Sequence, residues 1–242
     1  MKTAVVTGST KGIGLAIGME LLRRGCEVAF HYHRDAESAE RLKNELNALG
    51  FAGKYQIVQA DLSSVEGVQV LGDALEPRFH KLDYLVLNAA STKRGSLQEL
   101  KLEDWEYVLR LNLTVPLFLT QLCAAWMQPG GCVLFSGAVM GQFPHALSLP
   151  YGTSKAAVHY LTKALVKEFA DRGVRVNSVA PGFVETEWQK NKPQEIRRSI
   201  ESKIALHRFA EPDEVARLAL EVLENPYING SIVNIDGGYC FQ

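Results

Sequence analysis

Short apolar runs rich in β-branched residues recur along the chain: TAVVT (3–7), EVAFHY (27–32), YQIVQA (55–60), YLVLN (84–88), CVLFS (132–136), RVNSVA (175–180) and SIVNI (231–235). Their length and composition predict seven strands. Between them apolar residues return every three or four positions, as in Ile13, Ile17 and Leu21 or Val158, Leu161 and Leu165, and these stretches predict helices. Sustained alternation of strand and helix demands right-handed crossovers, and therefore a parallel sheet with helices on both faces. The expected fold is α/β, a doubly wound seven-stranded parallel sheet of the Rossmann type, in one domain spanning 1–242. A chain of 242 residues with 47% hydrophobic content can fill a single core, and no internal repeat or low-complexity linker marks a boundary.

In such sheets ligands bind beyond the carboxyl ends of the strands. After the first strand comes TGSTKGIG (7–14), in which Gly8, Gly12 and Gly14 open the first helix. Glycines allow a tight turn and close backbone approach, and the helix start offers unpaired amides to a pyrophosphate. A dinucleotide is the expected ligand. At the end of the second strand the order is Tyr32, His33, Arg34, with no acid before Asp35. An acid there would favour a free ribose, whereas Lys11 and Arg34 supply two cations suited to a 2′-phosphate. The expected cofactor is NADP(H).

Charge narrows the partners. Lys and Arg total 26 against 27 Asp and Glu, without long like-charged runs, so neither nucleic acid nor an anionic membrane surface is expected. Cys26, Cys123, Cys132 and Cys240 lack CxxC spacing and lie in apolar sequence, which suggests buried thiols rather than disulfides or metal ligands. No metal is expected. No leader pattern and no run of 18 apolar residues is visible, so the expected location is cytoplasmic.

The motifs TGSTKGIG, LNAA (87–90), LNL (111–113), YGTSK (151–155), VNSVAPG (176–182) and IDGG (235–238) fall in the order and spacing of the classical short-chain dehydrogenase/reductase family. The chain resembles that family over nearly its whole length, and most resembles its 3-oxoacyl-(acyl-carrier-protein) reductases. The resemblance implies a cofactor site made by Gly8, Ser9, Thr10, Lys11, Gly12, Ile13 and Gly14 in the turn and His33 and Arg34 after the second strand. It adds Asp61 and Leu62 at the adenine, Asn88, Ala89 and Ala90 along the cofactor, and Pro181, Gly182, Val184 and Thr186 at the nicotinamide. Where the family usually has Asn-Asn-Ala-Gly, this chain has Leu87-Asn88-Ala89-Ala90.

Tyr151 and Lys155 stand four apart and share a helix face. A nearby ammonium is expected to lower the tyrosine pKa from about 10, so that the pair can protonate a carbonyl oxygen as hydride reaches its carbon. By resemblance Lys155 also holds the nicotinamide ribose, and Asn112 supports a water relay to it. The family adds a serine thirteen residues before the tyrosine, but position 138 is Ala. Ser136 lies about 6 to 7 Å back along an extended strand and could replace that hydroxyl only through a bulge, for which Gly137 gives licence. Ser148 and Thr153 have weaker positional claims.

Three functions are compatible with this pattern: an NADPH-dependent ketone reductase, a same-fold reductase of an enone or cyclic substrate, and an NADP(H)-binding sensor or scaffold. Residues 187–210 form a polar, partly helical insert expected to act as a lid. Trp188, Ile196, Ile200, Ile204 and Phe209 either face the pocket, with Trp188 a substrate contact, or pack the lid on the body. Arg172, Arg197, Arg198 and Lys203 either meet an acyl-carrier-protein or CoA thioester or are solvated, while Gln128-Pro129 replaces another expected basic site. The segment 103–127 and the Tyr151 helix resemble the family's dimer contact, so a homotetramer is expected.

Overall fold

The computed structural model describes residues 1–144 and 148–241. Seven strands, β1 (Thr3–Val6), β2 (Glu27–Tyr32), β3 (Tyr55–Gln59), β4 (Leu82–Leu87), β5 (Met127–Ser136), β6 (Arg175–Pro181) and β7 (Ile232–Ile235), form one sheet in the order β3-β2-β1-β4-β5-β6-β7. Every neighbouring pair is parallel. The chain builds outward from β1 to β3 and then returns to the other side at β4. The crevice where strand order reverses therefore lies between β1 and β4.

The predicted run patterns explain the layers. On β1, Ala4 and Val6 face one way and join a core with Ile17 and Leu21 of α1 (Gly12–Arg23), Leu42 of α2 (Ala36–Ala48) and Leu220 of α9 (Pro212–Glu224). Val5 faces the other way, into a core with Leu71 and Leu75 of α3 (Glu66–Phe79), Leu119 of α5 (Val115–Ala124) and Val158 of α6 (Leu149–Phe169). A strand covered on both faces needs apolar residues at consecutive positions, which is why AVV is continuous rather than alternating.

Two elements depart from the expectation. Strand β5 begins at Met127, which pairs with Leu82, and the register then shifts so that Cys132 pairs with Tyr84. Pro129, Gly130 and Gly131 make the intervening irregularity, with Gly130 at φ +83°. The segment 103–127, expected at a dimer contact, is also not one continuous helix. It consists of α4 (Leu102–Leu109), a π-turn over Arg110–Thr114, and α5. By length and mean hydropathy, 1.2 over its best window, Leu102–Ala124 would suffice to cross a bilayer. Its buried side instead packs on the sheet, with Leu119 and Cys123 in the core.

After β6 come two short helices, α7 (Glu187–Lys190) and α8 (Gln194–Glu201), before the chain returns to pair Ala210 with Val184. The insert thus leaves and rejoins the body at one point beside the sheet end.

Candidate active site

The strand ends and the start of α1 enclose a cleft of about 480 Å³. One wall is the glycine turn. Gly8 has φ +60°, and a Cβ there would come within 2.9 Å of the Ala89 Cα. A Cβ on Gly14 would fall 2.5 Å from both Asn88 Nδ2 and the Gly8 carbonyl. Hydrogen bonds then fasten this turn to the β4 end. Thr7 Oγ1 accepts from the amides of Asn88 at 2.9 Å and Ala89 at 3.0 Å, and Asn88 Nδ2 donates to the carbonyls of Thr7 at 3.1 Å and Gly8 at 2.9 Å.

Helix α1 opens from Lys11 in extended geometry, with no side-chain cap on its first-turn amides. Such a start is an anion site by geometry and dipole. Gly8, Thr10, Lys11, Gly12 and Ile13 line the cleft, whereas Ser9 and Gly14 do not. The last two shape the turn from behind: Ser9 Oγ donates to the Val6 carbonyl at 2.6 Å and accepts from the His31 amide at 3.0 Å.

At the β2 end, His33 and Arg34 line the cleft with Lys11. Lys11 is not free: its ammonium meets Asp35 at 2.9 Å. Asp35 also caps α2 through the Ser38 amide at 3.0 Å, and these partners, Lys11 first, hold its carboxyl down at about 2. Arg34 Nε donates to His33 Nε2 at 3.2 Å, and the same nitrogen lies 3.2 Å from Asp61. Asp61 spends its carboxylate on His33 and, at 2.8 Å, the Ser63 amide, and it does not line the cleft. Leu62, expected beside it, lines the cleft together with Ser63.

The other end holds the chemistry-bearing residues. Tyr151 and Lys155 both line the cleft floor, with Ala90, Ala138, Pro181, Gly182, Val184 and Thr186 around them. Lys155 is buried, and its ammonium donates to the Ser136 carbonyl at 2.5 Å while standing 5.5 Å from the centre of the Tyr151 ring. At that distance its pull on a phenolate does not outweigh burial. Burial dominates instead, pushing Tyr151 above its ordinary 10.0 and Lys155 down to about 8. In the protein alone, Tyr151 is a phenol that carries its proton.

Asn112 sits in the π-turn and is buried. Its Oδ1 accepts from the Ser91 amide at 2.8 Å, and its Nδ2 donates to the Ser91 carbonyl at 2.9 Å and to Ser154 Oγ at 3.0 Å. Ser154 in turn donates to the Tyr151 carbonyl at 2.7 Å. The side chain thus ties the loop after β4 to the helix carrying Tyr151 and Lys155, and it does not line the cleft. The π-turn, which widens a helix locally, is what carries Asn112 into this position.

Ser136 answers the question of the missing serine. Strand β5 keeps regular pairing to Ser136↔Val179, Gly137 donates to the Val179 carbonyl at 2.8 Å, and Ala138 is extended at φ −165°. There is no bulge at this point, and Ser136 Oγ donates to Asn88 Oδ1 at 3.2 Å. It lines the cleft but is committed to the turn side. A Cβ on Gly137 would meet His159 Nε2 at 2.5 Å and Ser178 Oγ at 2.6 Å, which fixes this backbone from behind. Ser148 is buried, Thr153 is exposed, and neither lines the cleft.

Trp188 of α7 closes the top, its ring 5.9 Å from that of Tyr151 at 71°. Ile204 and Phe209 are buried with Phe183, and Ile200 and Tyr239 pack against them. They fix the lid to the body rather than line the cleft, and Ile196 is exposed. Arg197 is likewise internal to the lid: it pairs with Glu185 and Glu201 and stands 4.5 Å over the Phe209 ring. Arg172 donates to the Ala124 carbonyl at the end of α5.

Sequence reasoning missed several cleft residues. Tyr107, Ser91 and Gln189 come from segments without a chemical motif, and Leu111 opens the LNL motif, whose Asn112 alone suggested chemistry. The i, i+4 spacing of Tyr107 and Leu111 on one helix face was the available signal. His31 was passed over as a strand residue, although a polar side chain between Phe30 and Tyr32 near a strand end was readable.

Comparison with known proteins agrees with this geometry. A family profile described as enoyl-(acyl carrier protein) reductase matches residues 8–240. The chain is 35% identical to a 3-oxoacyl-[acyl-carrier-protein] reductase of Synechocystis sp., over 98% of this chain and 96% of that protein. It is 34% identical to glucose 1-dehydrogenase 2 of Bacillus subtilis, over 98% of this chain and 94% of that protein. A short-chain dehydrogenase of Burkholderia cenocepacia J2315, solved in complex with NADP, superposes with a TM-score of 0.91 at 31% identity, covering 99% of this chain and 98% of that one. On its motifs, its sheet order and these likenesses, the chain belongs to the short-chain dehydrogenase/reductase family and is an oxidoreductase.

Proposed function

We propose that this protein is an NADPH-dependent reductase of a ketone, a 3-oxoacyl thioester or a similar carbonyl, with Tyr151 as the proton donor. The observation that carries the reading is the pairing, on one cleft floor, of a proton-bearing phenol with a buried lysine held by the Ser136 carbonyl. The cofactor fits the residues present. The uncapped start of α1 faces the cleft, Gly8 leaves room where a Cβ would collide with Ala89, and Lys11 and Arg34 flank the end of β2. Gly8 to Ile13 would hold the pyrophosphate, Lys11 and Arg34 a 2′-phosphate, and Pro181 to Thr186 the nicotinamide. Such a cofactor supplies a hydride when bound.

The chain's own residues do the rest. Tyr151 gives its phenolic proton to the carbonyl oxygen, and because burial favours the phenol, the donor form prevails at neutral pH. Lys155, positively charged below about pH 8, stabilises the phenolate left behind. Asn112 and Ser154 keep the helix registered against the loop after β4. Trp188 covers Tyr151 and keeps water from it. The carbonyl is a small-molecule group, carried free or on a CoA or acyl-carrier-protein thioester.

The absence of a hydroxyl at Ala138 supports a second reading, reduction of an enone or cyclic substrate. Ala138, Leu111 and Trp188 make that end of the cleft apolar, and an extended or ring-bound conjugated system needs less orientation at its oxygen. A sensor without turnover has less support, because Tyr151, Lys155 and Asn112 are all assembled.

NADPH oxidation in the presence of acetoacetyl-CoA, and of diketone and enone panels, tests these readings. Tyr151→Phe is expected to lower kcat by about 10²–10⁴. Ala138→Ser is expected to raise ketone turnover by about tenfold to a hundredfold, by adding the hydrogen bond that orients the carbonyl. Tight NADPH binding with no turnover on any panel would overturn the reductase reading.

A further inference from the structure

His31 lies one residue before the end of β2, is 3% exposed, and borders the cleft through a buried edge. A polar side chain so placed must have both ring nitrogens satisfied or lose stability. Both are. The Gly8 amide donates to Nδ1 at 3.0 Å, and Nε2 lies 3.1 Å from the Ala60 carbonyl. Since an amide can only donate and a carbonyl can only accept, Nδ1 must be the bare nitrogen and Nε2 must carry the hydrogen. The backbone around it is also engaged: Ser9 N donates to the His31 carbonyl at 2.9 Å, and the His31 amide donates to Ser9 Oγ at 3.0 Å.

We propose that His31 is a positioning residue of the dinucleotide site, a single uncharged imidazole whose bare Nδ1 clamps the Gly8 amide and so places the glycine turn, while its bond to the Ala60 carbonyl fixes the tautomer. This rests on the dinucleotide reading above. Gly8 lines the cleft as part of the glycine turn, and Ala60 lies two residues before Leu62, which lines it with Ser63. No other side chain bonds both segments among the described residues. Burial, opposed by the Ala60 bond and helped by the neighbouring His33, lowers the His31 pKa to about 4, consistent with the neutral form. Around it, the turn offers only an amide and β3 only a carbonyl. Asp61 is occupied by His33 and Ser63, and Lys11 by Asp35.

The clamp differs from simple core filling in that only the acceptor facing Gly8 matters to the cofactor. His31→Asn keeps an acceptor near the Nδ1 position but does not reach Ala60, whereas His31→Phe keeps the ring and offers neither bond. Calorimetric binding of NADP⁺ is expected to be within about threefold of wild type for His31→Asn and weakened about tenfold or more for His31→Phe. Thermal midpoints are expected to fall in both, so affinity and stability part company. Amide exchange at Gly8 is expected to stay slow in His31→Asn and to quicken in His31→Phe. Equal affinities in wild type and His31→Phe, or equal losses in both variants, would overturn the proposal. Should His31→Phe not fold, ¹⁵N spectroscopy of the wild-type imidazole decides: hydrogen on Nε2 supports the clamp, and hydrogen on Nδ1 or on both nitrogens at pH 7 overturns it. A wild-type protein that binds no NADP⁺ would instead sink the dinucleotide reading, and the tautomer would still judge His31.

Discussion

At the scale of single residues, the site works through what neighbours leave available. Ser136 sits one side-chain repeat from position 138, yet its hydroxyl is committed to Asn88 and its carbonyl to Lys155. Sequence gave the candidate, but which oxygen faced which partner depended on β5 register, which no local pattern encodes. The same limit applies to Lys155. Four-residue spacing from Tyr151 is readable, while the burial of Lys155 and the half-burial of Tyr151 are tertiary facts, and the loss of solvent reverses the expected direction of the tyrosine shift. A titration follows. Lys155 is charged below about pH 8 and neutral above it, so support for a developing phenolate is lost as pH rises through that value. The kcat/KM for NADPH in ketone reduction is therefore expected to level off below pH 8 and to fall about tenfold per pH unit above it. A profile flat from pH 7 to 10 would contradict this role for the lysine. Lys155→Met is expected to lose the titration along with most of the rate.

Among elements, strands were legible because covered strands must be continuously apolar, and the seven runs predicted are the seven observed, with ends shifted by a few residues. The α4, π-turn and α5 run was less so. Its apolar residues look uniform in sequence, and only the structure separates those packed on the sheet from those facing outward. Phe118 of α5, 39% exposed, and Tyr160 of α6, 77% exposed, are in the second group. The two helices pack into the same core, and large aromatic side chains left in water on that side mark a surface another molecule would cover. The homotetramer proposed from family resemblance would cover this face with a second copy. Replacing both residues, Phe118→Glu with Tyr160→Glu, is expected to shift the mass measured by light scattering from four subunits to two or one, with the thermal midpoint falling in step. An unchanged mass would show that this face is not the contact. The lid shows the same division between pattern and placement. Its helical spacing was apparent, but Trp188 over the cleft and Phe209 beneath the lid could not be told apart until Phe183 and Tyr239, from distant segments, supplied the partners.

Across the whole molecule, two buried histidines link the fold to pH. His31 and His159 are 3% and 7% exposed, and burial holds each near a pKa of about 4, with Lys155 and Lys163 adding to the shift at His159. Unfolded, each titrates near 6.5, so between pH 6.5 and 4 the unfolded chain binds protons that the folded chain refuses. Stability is complete above about pH 6.5 and is lost as pH falls towards 4, by about 3 kcal/mol for each group. Two such losses approach the entire stability of an ordinary domain, about 5–15 kcal/mol, so unfolding is expected close to pH 4. His159 allows the cleaner test, because its Nε2 has no hydrogen-bond partner among the described residues and its loss costs no bond at that nitrogen. Urea midpoints of wild type are expected to fall steadily from pH 7 to 4.5. In His159→Leu the fall is expected to be about half as steep, with stability at pH 7 nearly unchanged. Parallel curves for the two proteins would mean that the acid sensitivity does not come from His159; the Asp35 and Glu214 pairs lose their contribution as pH falls from about 4 to about 2, at the lower edge of this window and below it.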